Sequence, residues 1–410
     1  MPFCQDLRCL VMVSLAAVVV CCDGRPVPSR IGKTYPTGEA GETGTAPECA
    51  EPAADRADVS LAEVFQSHFK LGVALGPSAF IANELDPSAL EEQQAFVKHQ
   101  FNRISPENVL KWSHLQPSEG TFRFELADAF VDFGAERGLE IHGHVLVWHQ
   151  QTPPWVFTGR SGSQATREEL LGRLEAHMAA VAERYASRIA YWDVVNEALT
   201  DEGTLRDSPW RSVLGDDYIG LAFEMAARYF PDAKLVYNDY SLFLPAKREA
   251  SIELVTSLRR AGLKVDAIGM QGHYNLSRPT TSELESTLAA YERAGIEVLV
   301  TELDLDVLPR DTLGADLDDE GELSEAADPY RECLPANVDD QIAAKWASIF
   351  GAFVRYSDTI SSVTFWGIHD GLSWLNNWPI EGRTNHPLLF DRDLRPKAAF
   401  EKVIQQAEGS

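Results

Sequence analysis

Residues 189–197 read Ile-Ala-Tyr-Trp-Asp-Val-Val-Asn-Glu, a mainly apolar and aromatic run that ends in Asn196 and Glu197. Such a run is typical of a strand that is buried on both faces of a sheet. Seven more runs of this kind occur along the chain. In chain order the eight runs are residues 69–76, 101–109, 140–148, 189–197, 234–240, 267–275, 297–306 and 362–370. The runs predict eight buried strands.

Between the runs lie segments whose apolar residues recur every three or four positions, as in amphipathic helices. Examples are residues 87–100, 168–185, 216–229 and 339–356. Strands that alternate with helices predict an α/β fold, and eight strands favour a closed parallel (β/α)₈ barrel, the TIM barrel, as a single domain. A doubly wound open sheet is the alternative. It is disfavoured because no Gly-x-Gly-x-x-Gly motif follows the first run.

Residues 1–22 have the pattern of an export signal. A short polar start with Arg8 precedes an apolar run over residues 10–20, which is too short to span a bilayer. A lipoprotein signal with a lipid on Cys21 or Cys22 is the alternative, but the valines before Cys21 lack the small residue that lipidation favours. We therefore expect an exported chain, either secreted or periplasmic and cell-surface, whose only membrane contact would be such an anchor.

Residues 23–56 are rich in Gly, Pro, Thr, Glu and Ala and predict a flexible linker, whereas residues 57–408 predict the catalytic barrel. Too little chain remains outside the barrel to predict a separate carbohydrate-binding module. Four of the six cysteines lie in or beside the leader, which leaves Cys49 and Cys333. These two could pair in an oxidising compartment, but we interpret them as unrelated thiols. We expect a monomer.

The charge balance excludes one class of partner. The chain has 62 acidic and 36 basic residues and a formal net charge of −26, so its surface repels nucleic acid and anionic lipid. A neutral sugar polymer meets no such repulsion. Acidic residues are dense over residues 310–335, which predict a long solvated loop. A calcium site there is the alternative, although the spacing differs from that of an EF-hand loop.

Polar and aromatic side chains follow seven of the eight runs, at the carboxyl end where barrel enzymes build their sites. They are Glu107, Asn108 and Lys111 after the second run, His142, His144, Trp148 and Gln151 at the third, Asn196 and Glu197 at the fourth, Asn238, Asp239 and Tyr240 at the fifth, Gln271 and His273 at the sixth, Glu302, Asp304 and Asp306 at the seventh, and Trp366, His369 and Asp370 at the eighth. Their convergence on one rim of the barrel predicts the functional site.

Glu197 and Glu302 would face each other across this rim. Glycoside hydrolysis needs two carboxyl groups, one that protonates the leaving oxygen and one that attacks the anomeric carbon or activates water. Aromatic rings suit the C–H faces of sugars, and amides, imidazoles and ammonium groups bind their hydroxyls. Aromatic residues at or just past strand ends are Trp148, Tyr240, Trp366, Trp374 and Trp378. In contrast, we expect Trp192 and Trp346 to pack in the core.

Five segments strengthen this interpretation. They are Ser-Pro-Glu-Asn at 105–108 with Lys111-Trp112, His-Val-Leu-Val-Trp-His at 144–149, Tyr-Trp-Asp-Val-Val-Asn-Glu at 191–197, Thr-Glu-Leu-Asp at 301–304, and Thr-Phe-Trp-Gly at 364–367. Together they resemble the signature blocks of glycoside hydrolase family 10, the endo-β-1,4-xylanases, in family order from about residue 61 to 405. The resemblance implies a (β/α)₈ barrel that hydrolyses xylan, or another β-1,4-linked polysaccharide, by double displacement with retention of configuration.

The resemblance also implies roles for single residues. Glu197 matches the general acid/base, Glu302 the nucleophile, Asn196 the residue that binds the 2-hydroxyl of the sugar under attack, and His273 the partner of the nucleophile. Matched sugar-binding positions are Glu107, Asn108, Lys111, His144, Trp148, Gln151, Tyr240, Gln271, Trp366 and Trp374, with Tyr240 toward the leaving-group side. His369 stands where the family often has Thr, which leaves its role open. Nothing in the sequence indicates a cofactor or a metal.

The proposed chemistry requires an ionised Glu302 and a protonated Glu197. We expect the neighbouring carboxylate to raise the pKa of Glu197 and so favour this state. Three other functions are considered. One is a metal-dependent barrel hydrolase with a cluster drawn from His142, His144, His273, His369 and Asp304. The others are a non-catalytic carbohydrate-binding barrel and a β-1,4-glycanase that acts on glucan or aryl cellobiosides.

Overall fold

The structure is a computed structural model that describes residues 49–50, 58–81, 87–309, 324 and 326–409. Pro47–Ser410 form one compact unit. The predicted signal over residues 1–22 lies outside the described residues, as does the predicted linker except for Cys49 and Ala50. Most of the acidic stretch 310–335, with its calcium alternative, also lies outside them.

In the part of the chain that the structure describes, nine parallel strands form the sheet. They are β1 Lys70–Leu75, β2 Arg103–Pro106, β3 Glu140–Gly143, β4 Tyr191–Asn196, β5 Lys234–Asp239, β6 Ala267–Met270, β7 His273–Asn275, β8 Glu297–Asp306 and β9 Ile360–Phe365. The order is β6-β5-β4-β3-β2-β1-β9-β8-β7, and β6 pairs with β8 as well. This additional pairing closes eight of the strands into a ring. The predicted (β/α)₈ barrel is therefore confirmed, and the open sheet is excluded.

The sixth apolar run is divided between two strands because the chain turns at Gly272. The φ of Gly272 is +87°, in the left-handed region that favours glycine. A Cβ there would also lie 3.1 Å from Val300 and 3.2 Å from Leu303. Beyond this turn β7 pairs with the outer half of β8, which sets His273 beside Asp304. The interruption thus brings side chains of two neighbouring strands to the carboxyl end of the barrel.

Eleven α-helices are described. They are α1 Leu61–Val64, α2 Pro87–Gln100, α3 Trp112–Leu115, α4 Glu125–Arg137, α5 Arg167–Tyr185, α6 Pro209–Leu214, α7 Tyr218–Tyr229, α8 Pro245–Arg260, α9 Thr281–Ala294, α10 Ala336–Arg355 and α11 Ala398–Glu408. The four predicted segments correspond to α2, α5, α7 and α10, with ends that differ by at most three residues. Capping boxes fix the starts of α5 and α9, in which Thr166 pairs with Glu169 and Thr280 with Glu283. None of the described helices is both long and apolar enough to cross a bilayer.

The core fills the barrel and the layer between strands and helices. Trp192 on β4 and Trp346 on α10 are both 0% exposed, so their predicted packing role is confirmed. Ion pairs link strands at the amino-terminal end of the barrel, among them Arg103 with Glu140 and Lys234 with Glu297. Buried polar groups lie at the opposite, carboxyl end, among them Asn196, Glu197, Asn238 and Glu302.

Cys49 and Cys333 form a disulfide with Cα atoms 5.6 Å apart. The interpretation of these cysteines as unrelated thiols is therefore wrong. An antiparallel bridge of Cys49 to Pro335 and a hydrogen bond from Ala50 N to Leu334 O, 2.8 Å, align the two segments. The sequence conceals this pairing because 284 positions separate the two cysteines.

Candidate active site

A cavity of about 200 Å³ opens at the carboxyl ends of the barrel strands. The side chains that line it are Glu107, Asn108, Lys111, His144, Trp148, Gln151, Asn196, Glu197, Gln271, His273, Glu302, Trp366 and Trp374. Each of them is among the site residues predicted from the sequence. The folding of the barrel thus brings together residues that the chain spreads over nearly 270 positions.

Tyr240 is the one residue with a predicted catalytic or sugar-binding role that does not line this cavity. Its side chain is 5% exposed, and its hydroxyl accepts a 2.6 Å hydrogen bond from Arg206 Nη2. The ammonium of Lys247 lies 3.6 Å from the centre of its ring. Tyr240 therefore belongs to the layer behind Glu197, since Arg206 Nε also donates to the Glu197 carbonyl oxygen at 3.1 Å.

Glu197 follows β4 directly, with a φ of +58°. A left-handed backbone at a residue other than glycine costs about 1–3 kcal/mol and persists only where its surroundings hold it. Here Trp148 Nε1 donates to Oε2 at 2.8 Å, while Asn196 Nδ2 and Gln271 Nε2 donate to Oε1 at 3.1 and 3.0 Å. Side chains from three strands or their following loops therefore fix this carboxyl in the cavity.

The pKa of Glu197 is raised to about 7, and burial is the largest cause. The hydrogen bond from Gln271 lowers the pKa, the charge of Asp239 raises it, the hydrogen bond from Trp148 lowers it, and Glu302 adds a smaller increase. The pKa of Glu197 is raised, as the sequence led us to expect, but the neighbouring carboxylate is not the main cause. Desolvation contributes more than the neighbouring carboxylate, and Asp239 contributes more than Glu302.

Glu302 lies on β8 in a different environment. Its Oε1 accepts a 2.7 Å hydrogen bond from Asn238 Nδ2, and its Oε2 lies 3.2 Å from His273 Nε2. Burial raises the pKa of this carboxyl, but the hydrogen bond from His273 and the proximity of His144 and His273 outweigh it and hold the pKa below its usual value. Glu302 therefore favours the ionised form.

His273 joins Glu302 to a third carboxylate. Its Nδ1 lies 2.9 Å from Asp304 Oδ1, and Trp374 Nε1 donates to the other oxygen of Asp304 at 2.7 Å. Burial lowers the pKa of His273, but the charge and hydrogen bonds of Asp304 and Glu302 outweigh it and raise the pKa to about 10. A protonated His273 donates to both carboxylates and so stabilises the charge on Glu302.

Asn238 was expected at the rim of the barrel, but its sequence position predicted no catalytic or sugar-binding role. The side chain is 0% exposed and lies between the two glutamates. Its Nδ2 donates to Asn196 Oδ1 at 3.0 Å as well as to Glu302, and its Oδ1 accepts from Thr301 Oγ1 at 2.7 Å. One signal lay in the neighbouring strand, where Gly269 has no side chain and leaves room for the amide.

The histidines of the metal-dependent alternative are engaged with carboxylates. His142 Nε2 and His144 Nδ1 both lie 2.9 Å from Asp193, one at each oxygen. Burial raises the pKa of Asp193, but these two histidines outweigh it and lower the pKa to about 2. His369 Nδ1 instead accepts from Gly371 N at 3.1 Å in a short turn. Within the described ranges, no group of three His, Cys, Asp or Glu residues has a metal-binding arrangement.

The remaining walls combine aromatic faces with polar groups. Lys111 Nζ donates to Asn108 Oδ1 at 3.0 Å and lies 4.9 Å from the centre of the Trp148 ring. Burial lowers the pKa of Lys111, against the opposing charges of Glu302, Glu107 and Glu197. Burial also raises the pKa of Glu107, opposed by Lys111.

Trp366 and Trp374 line the cavity, and Trp378 packs behind Trp374. Trp374 and Trp378 stack with their ring centres 4.5 Å apart. Trp366 meets the imidazoles of His144 and His273 edge to face, at 5.6 and 6.4 Å. Flat apolar rings beside amide and ammonium donors match the alternating C–H and hydroxyl surfaces of a sugar.

Two buried carboxyls, whose pKa values are shifted in opposite directions, thus share one cavity whose walls suit a carbohydrate. Glycoside hydrolysis requires this division between a protonated and an ionised carboxyl. The fold and the site together define the protein as a glycoside hydrolase.

Comparison with known proteins identifies the family. The sequence profile of glycosyl hydrolase family 10 matches residues 60–406. An endo-1,4-β-xylanase of Geobacillus stearothermophilus is 40% identical over 352 residues, 84% of this chain and 98% of the relative. Endo-1,4-β-xylanase A of Xylanibacter ruminicola is 37% identical over 351 residues, 85% and 94% of the two chains. This protein belongs to glycosyl hydrolase family 10, and the resemblance seen in its sequence is confirmed.

A solved structure gives the same result for the fold. The family 10 endoxylanase retrieved from a sugarcane soil metagenome superimposes with a TM-score of 0.81 at 37% identity. The match covers 84% of this chain and 99% of the other. The barrel therefore accounts for the whole length of that relative.

Proposed function

We propose that this protein is an endo-1,4-β-xylanase that retains the anomeric configuration, with Glu197 as general acid/base and Glu302 as nucleophile. The observation that carries the proposal is the opposite pKa shift of the two glutamates in one cavity. Near neutral pH, a substantial fraction of Glu197 holds a proton and Glu302 is ionised. These are the starting states that double displacement needs.

In the first step, Glu302 attacks the anomeric carbon and forms an ester with the sugar. The bond from that carbon to the glycosidic oxygen breaks, and the oxygen takes the proton of Glu197 as it leaves. Asn196 would donate to the 2-hydroxyl of the sugar under attack, an interaction that strengthens as positive charge develops on the ring. The first step leaves a neutral ester at Glu302 and an ionised Glu197.

In the second step, Glu197 accepts a proton from water, and the water oxygen attacks the anomeric carbon. The ester bond breaks, Glu302 regains its charge, and Glu197 regains its proton. Two inversions give net retention. His273 stabilises the carboxylate that is released, because its nitrogen lies 3.2 Å from Glu302 Oε2.

The two roles are distinguished by alanine variants. Glu302→Ala should lose essentially all turnover on every substrate. Glu197→Ala should lose xylan hydrolysis but retain cleavage of an aryl xylobioside whose leaving group needs no protonation, and added azide should then yield β-xylobiosyl azide. Equal losses by both variants on xylan and on the activated substrate would contradict the assignment.

Retention is tested separately by following hydrolysis of an aryl β-xylobioside with proton NMR. The β-anomer should form first and then mutarotate. The α-anomer as first product would establish inversion and remove the nucleophilic role of Glu302.

The substrate is proposed from the two xylanase relatives and from the sugar-binding character of the walls. Product analysis on xylan, carboxymethyl cellulose and short xylo-oligosaccharides tests it, with internal cleavage of xylan as the expected result. Room for one hydroxymethyl group separates xylose from glucose and is worth only about 1–3 kcal/mol. Faster cleavage of cellulose would favour the alternative glycanase activity, and no release of reducing sugar from either would favour a binding barrel.

We also propose that the protein is exported. The pattern of residues 1–22 supports this proposal, and so does the Cys49–Cys333 disulfide, because disulfides persist mainly in oxidising compartments. Fractionation of expressing cells, with mass spectrometry of the mature amino terminus, should find the processed chain outside the cytoplasm. A cytoplasmic chain with residues 1–22 intact would contradict export.

A further inference from the structure

A buried ion pair lies behind Glu197, and neither of its members has a role in the two proposed steps of hydrolysis. Asp239 ends β5 and Lys247 lies in the first turn of α8, and both side chains are 0% exposed. Their charged atoms, Asp239 Oδ1 and Lys247 Nζ, are 2.9 Å apart. A buried ion pair seldom adds net stability over apolar packing, so its presence beside a catalytic group calls for a functional account.

Both members of the pair reach the segment that follows Glu197. Asp239 Oδ2 accepts from Leu199 N at 3.3 Å, and Lys247 Nζ lies 3.3 Å from Asp201 Oδ1. The backbone of β5 also contacts Glu197 directly, because Glu197 N donates to Asn238 O at 2.9 Å. The left-handed turn at Glu197 is thus tied to β5 and α8.

The pair is also linked to Glu197 through aromatic and cationic side chains. Lys247 Nζ lies over the Tyr240 ring, and the Tyr240 hydroxyl accepts from Arg206. Arg206 completes the circuit by donating to the carbonyl oxygen of Glu197. Contacts from β5, α8 and the loop after β4 therefore converge on Glu197.

We propose that Asp239 and Lys247 are positioning residues for the acid/base: their ion pair holds the segment after Glu197, and its charge balance sets the pH at which Glu197 loses its proton. This inference rests on the proposed acid/base role of Glu197. It does not require either residue to touch the substrate.

The charges around the pair determine how the pKa of Glu197 should change when Asp239 or Lys247 is replaced. The titratable groups that act on Glu197 are Asp239, Glu302, Arg206, Lys111 and Tyr240. The groups around Asp239 are Tyr218, Tyr237, Tyr240, Tyr291, Arg206, Lys247 and Glu197. Burial raises the pKa of the tyrosines above 10, so they remain neutral. The loss of either member of the pair therefore removes the nearest opposite charge from its partner in a medium of low dielectric constant.

The test uses two single variants with opposite expected signs. Asp239→Asn leaves the Lys247 cation, so Glu197 should lose its proton more easily and the alkaline limb of the kcat/KM profile should move down by roughly one pH unit. Lys247→Met leaves the Asp239 anion, which Tyr237 OH, Leu199 N and Tyr240 N still stabilise, so the limb should move up. The double variant should return toward the original profile. Limbs that stay in place, or that move in the same direction in both single variants, would overturn the proposal.

A matched control separates this effect from simple destabilisation. Asp370 and Lys397 form another ion pair at 2.9 Å, with side chains 0% and 9% exposed, and Asp370 is not among the groups that act on Glu197. Asp370→Asn should lower the melting temperature without moving the alkaline limb. An equal movement in this control would mean that the limb reports stability, and the inference would be wrong.

A surface variant keeps the test decisive if the buried ones do not fold. Asp201 is 41% exposed, and Asp201→Asn removes one negative partner of Lys247 without opening the core. The alkaline limb should again move down, by less than in Asp239→Asn, and an unmoved limb would overturn the proposal.

Glu197→Ala distinguishes the two levels of inference. An alkaline limb that persists in Glu197→Ala on the activated aryl substrate would contradict the proposed function itself. A limb that disappears in Glu197→Ala but stays fixed in the Asp239, Lys247 and Asp201 variants would contradict only the positioning role.

Discussion

The amide of Asn238 connects the two glutamates at the scale of a single residue. One N–H donates to Glu302 and the other to Asn196, which in turn donates to Glu197. Because Asn238 is fully buried, neither bond competes with water. The orientation of the proposed nucleophile and that of the acid/base therefore depend on the same side chain.

Asn238→Ala should lower kcat/KM by about 10²-fold, on the order of the loss when one preorganised donor is removed. The loss should fall mainly on kcat, since Asn238 does not line the cavity. Steady-state kinetics on an aryl xylobioside measure it. Thr301→Val, which removes only the donor to Asn238 Oδ1, is the control and should lose much less activity. Equal losses in the two variants would contradict the connecting role.

The pH profile follows from the same two carboxyls. The proposed mechanism needs a protonated Glu197, so kcat/KM should fall as the pH rises through its pKa of about 7. The proposed mechanism also needs an ionised Glu302, whose pKa lies below its ordinary value of 4.5, so the acid limb should lie below pH 4.5. A kcat/KM profile from pH 3 to 9 on an aryl xylobioside measures both limbs. An alkaline limb near pH 5, or an acid limb above that of an ordinary carboxyl, would contradict the assigned environments.

The sequence predicted the residues of the cavity better than their electrostatics. Glu197 and Glu302 could be placed at one rim because the carboxyl ends of parallel strands meet there. Burial raises the pKa of Glu197 more than Glu302 does, and Asp239 also raises it. These contributions depend on how deeply the carboxyl is buried and how far each charge lies from it, and the spacing of residues along the chain does not give either quantity. Asn238 escaped assignment because an amide at a strand end is common, and only its contacts distinguish it.

At the scale of the element, β8 carries much of the site. Glu302 and Asp304 are two positions apart and therefore project to the same side of the strand, while Leu303 between them is buried in the core. The alternation was readable from the sequence. The break between β6 and β7 was not, because the apolar run continues through Gly272 and only the register with β8 exposes the turn.

Two helical glycines give a matched pair for stability. Gly172 on α5 is exposed with open space around its Cβ position, so Gly172→Ala should stabilise the protein by about 0.5–1 kcal/mol. Gly134 on α4 packs on the barrel, where an added Cβ would lie 2.9 Å from Ile104 and Ile141. Gly134→Ala should therefore destabilise it. Thermal unfolding of both variants measures the difference, and shifts of the same sign would contradict the packing.

At the scale of the whole molecule, the alternation of strands and helices was enough to predict the closed barrel. The disulfide was not predictable, because two cysteines 284 positions apart give no local pattern. What brings them together is the antiparallel contact of Cys49 with the segment just before α10. Long-range pairing of this kind appears only once the chain has folded.

Replacement of both cysteines by serine should lower the Tm, since a crosslink over so long a loop contributes about 2–4 kcal/mol. Differential scanning fluorimetry with and without a reductant measures the effect. The original protein in reductant should match the double variant, whose own Tm should not respond to the reductant. A Tm that is the same in all four conditions would contradict a stabilising role.

The position of β9 in the ring has a consequence for biosynthesis. This strand, the last of the nine along the chain, pairs with β1 on one side and β8 on the other. Until the ribosome has released residues 360–365, both of those strands keep an unpaired edge and the barrel cannot close. Under the proposed export this delay would be useful, because a nascent chain that cannot complete its fold remains competent to be threaded through a translocation channel.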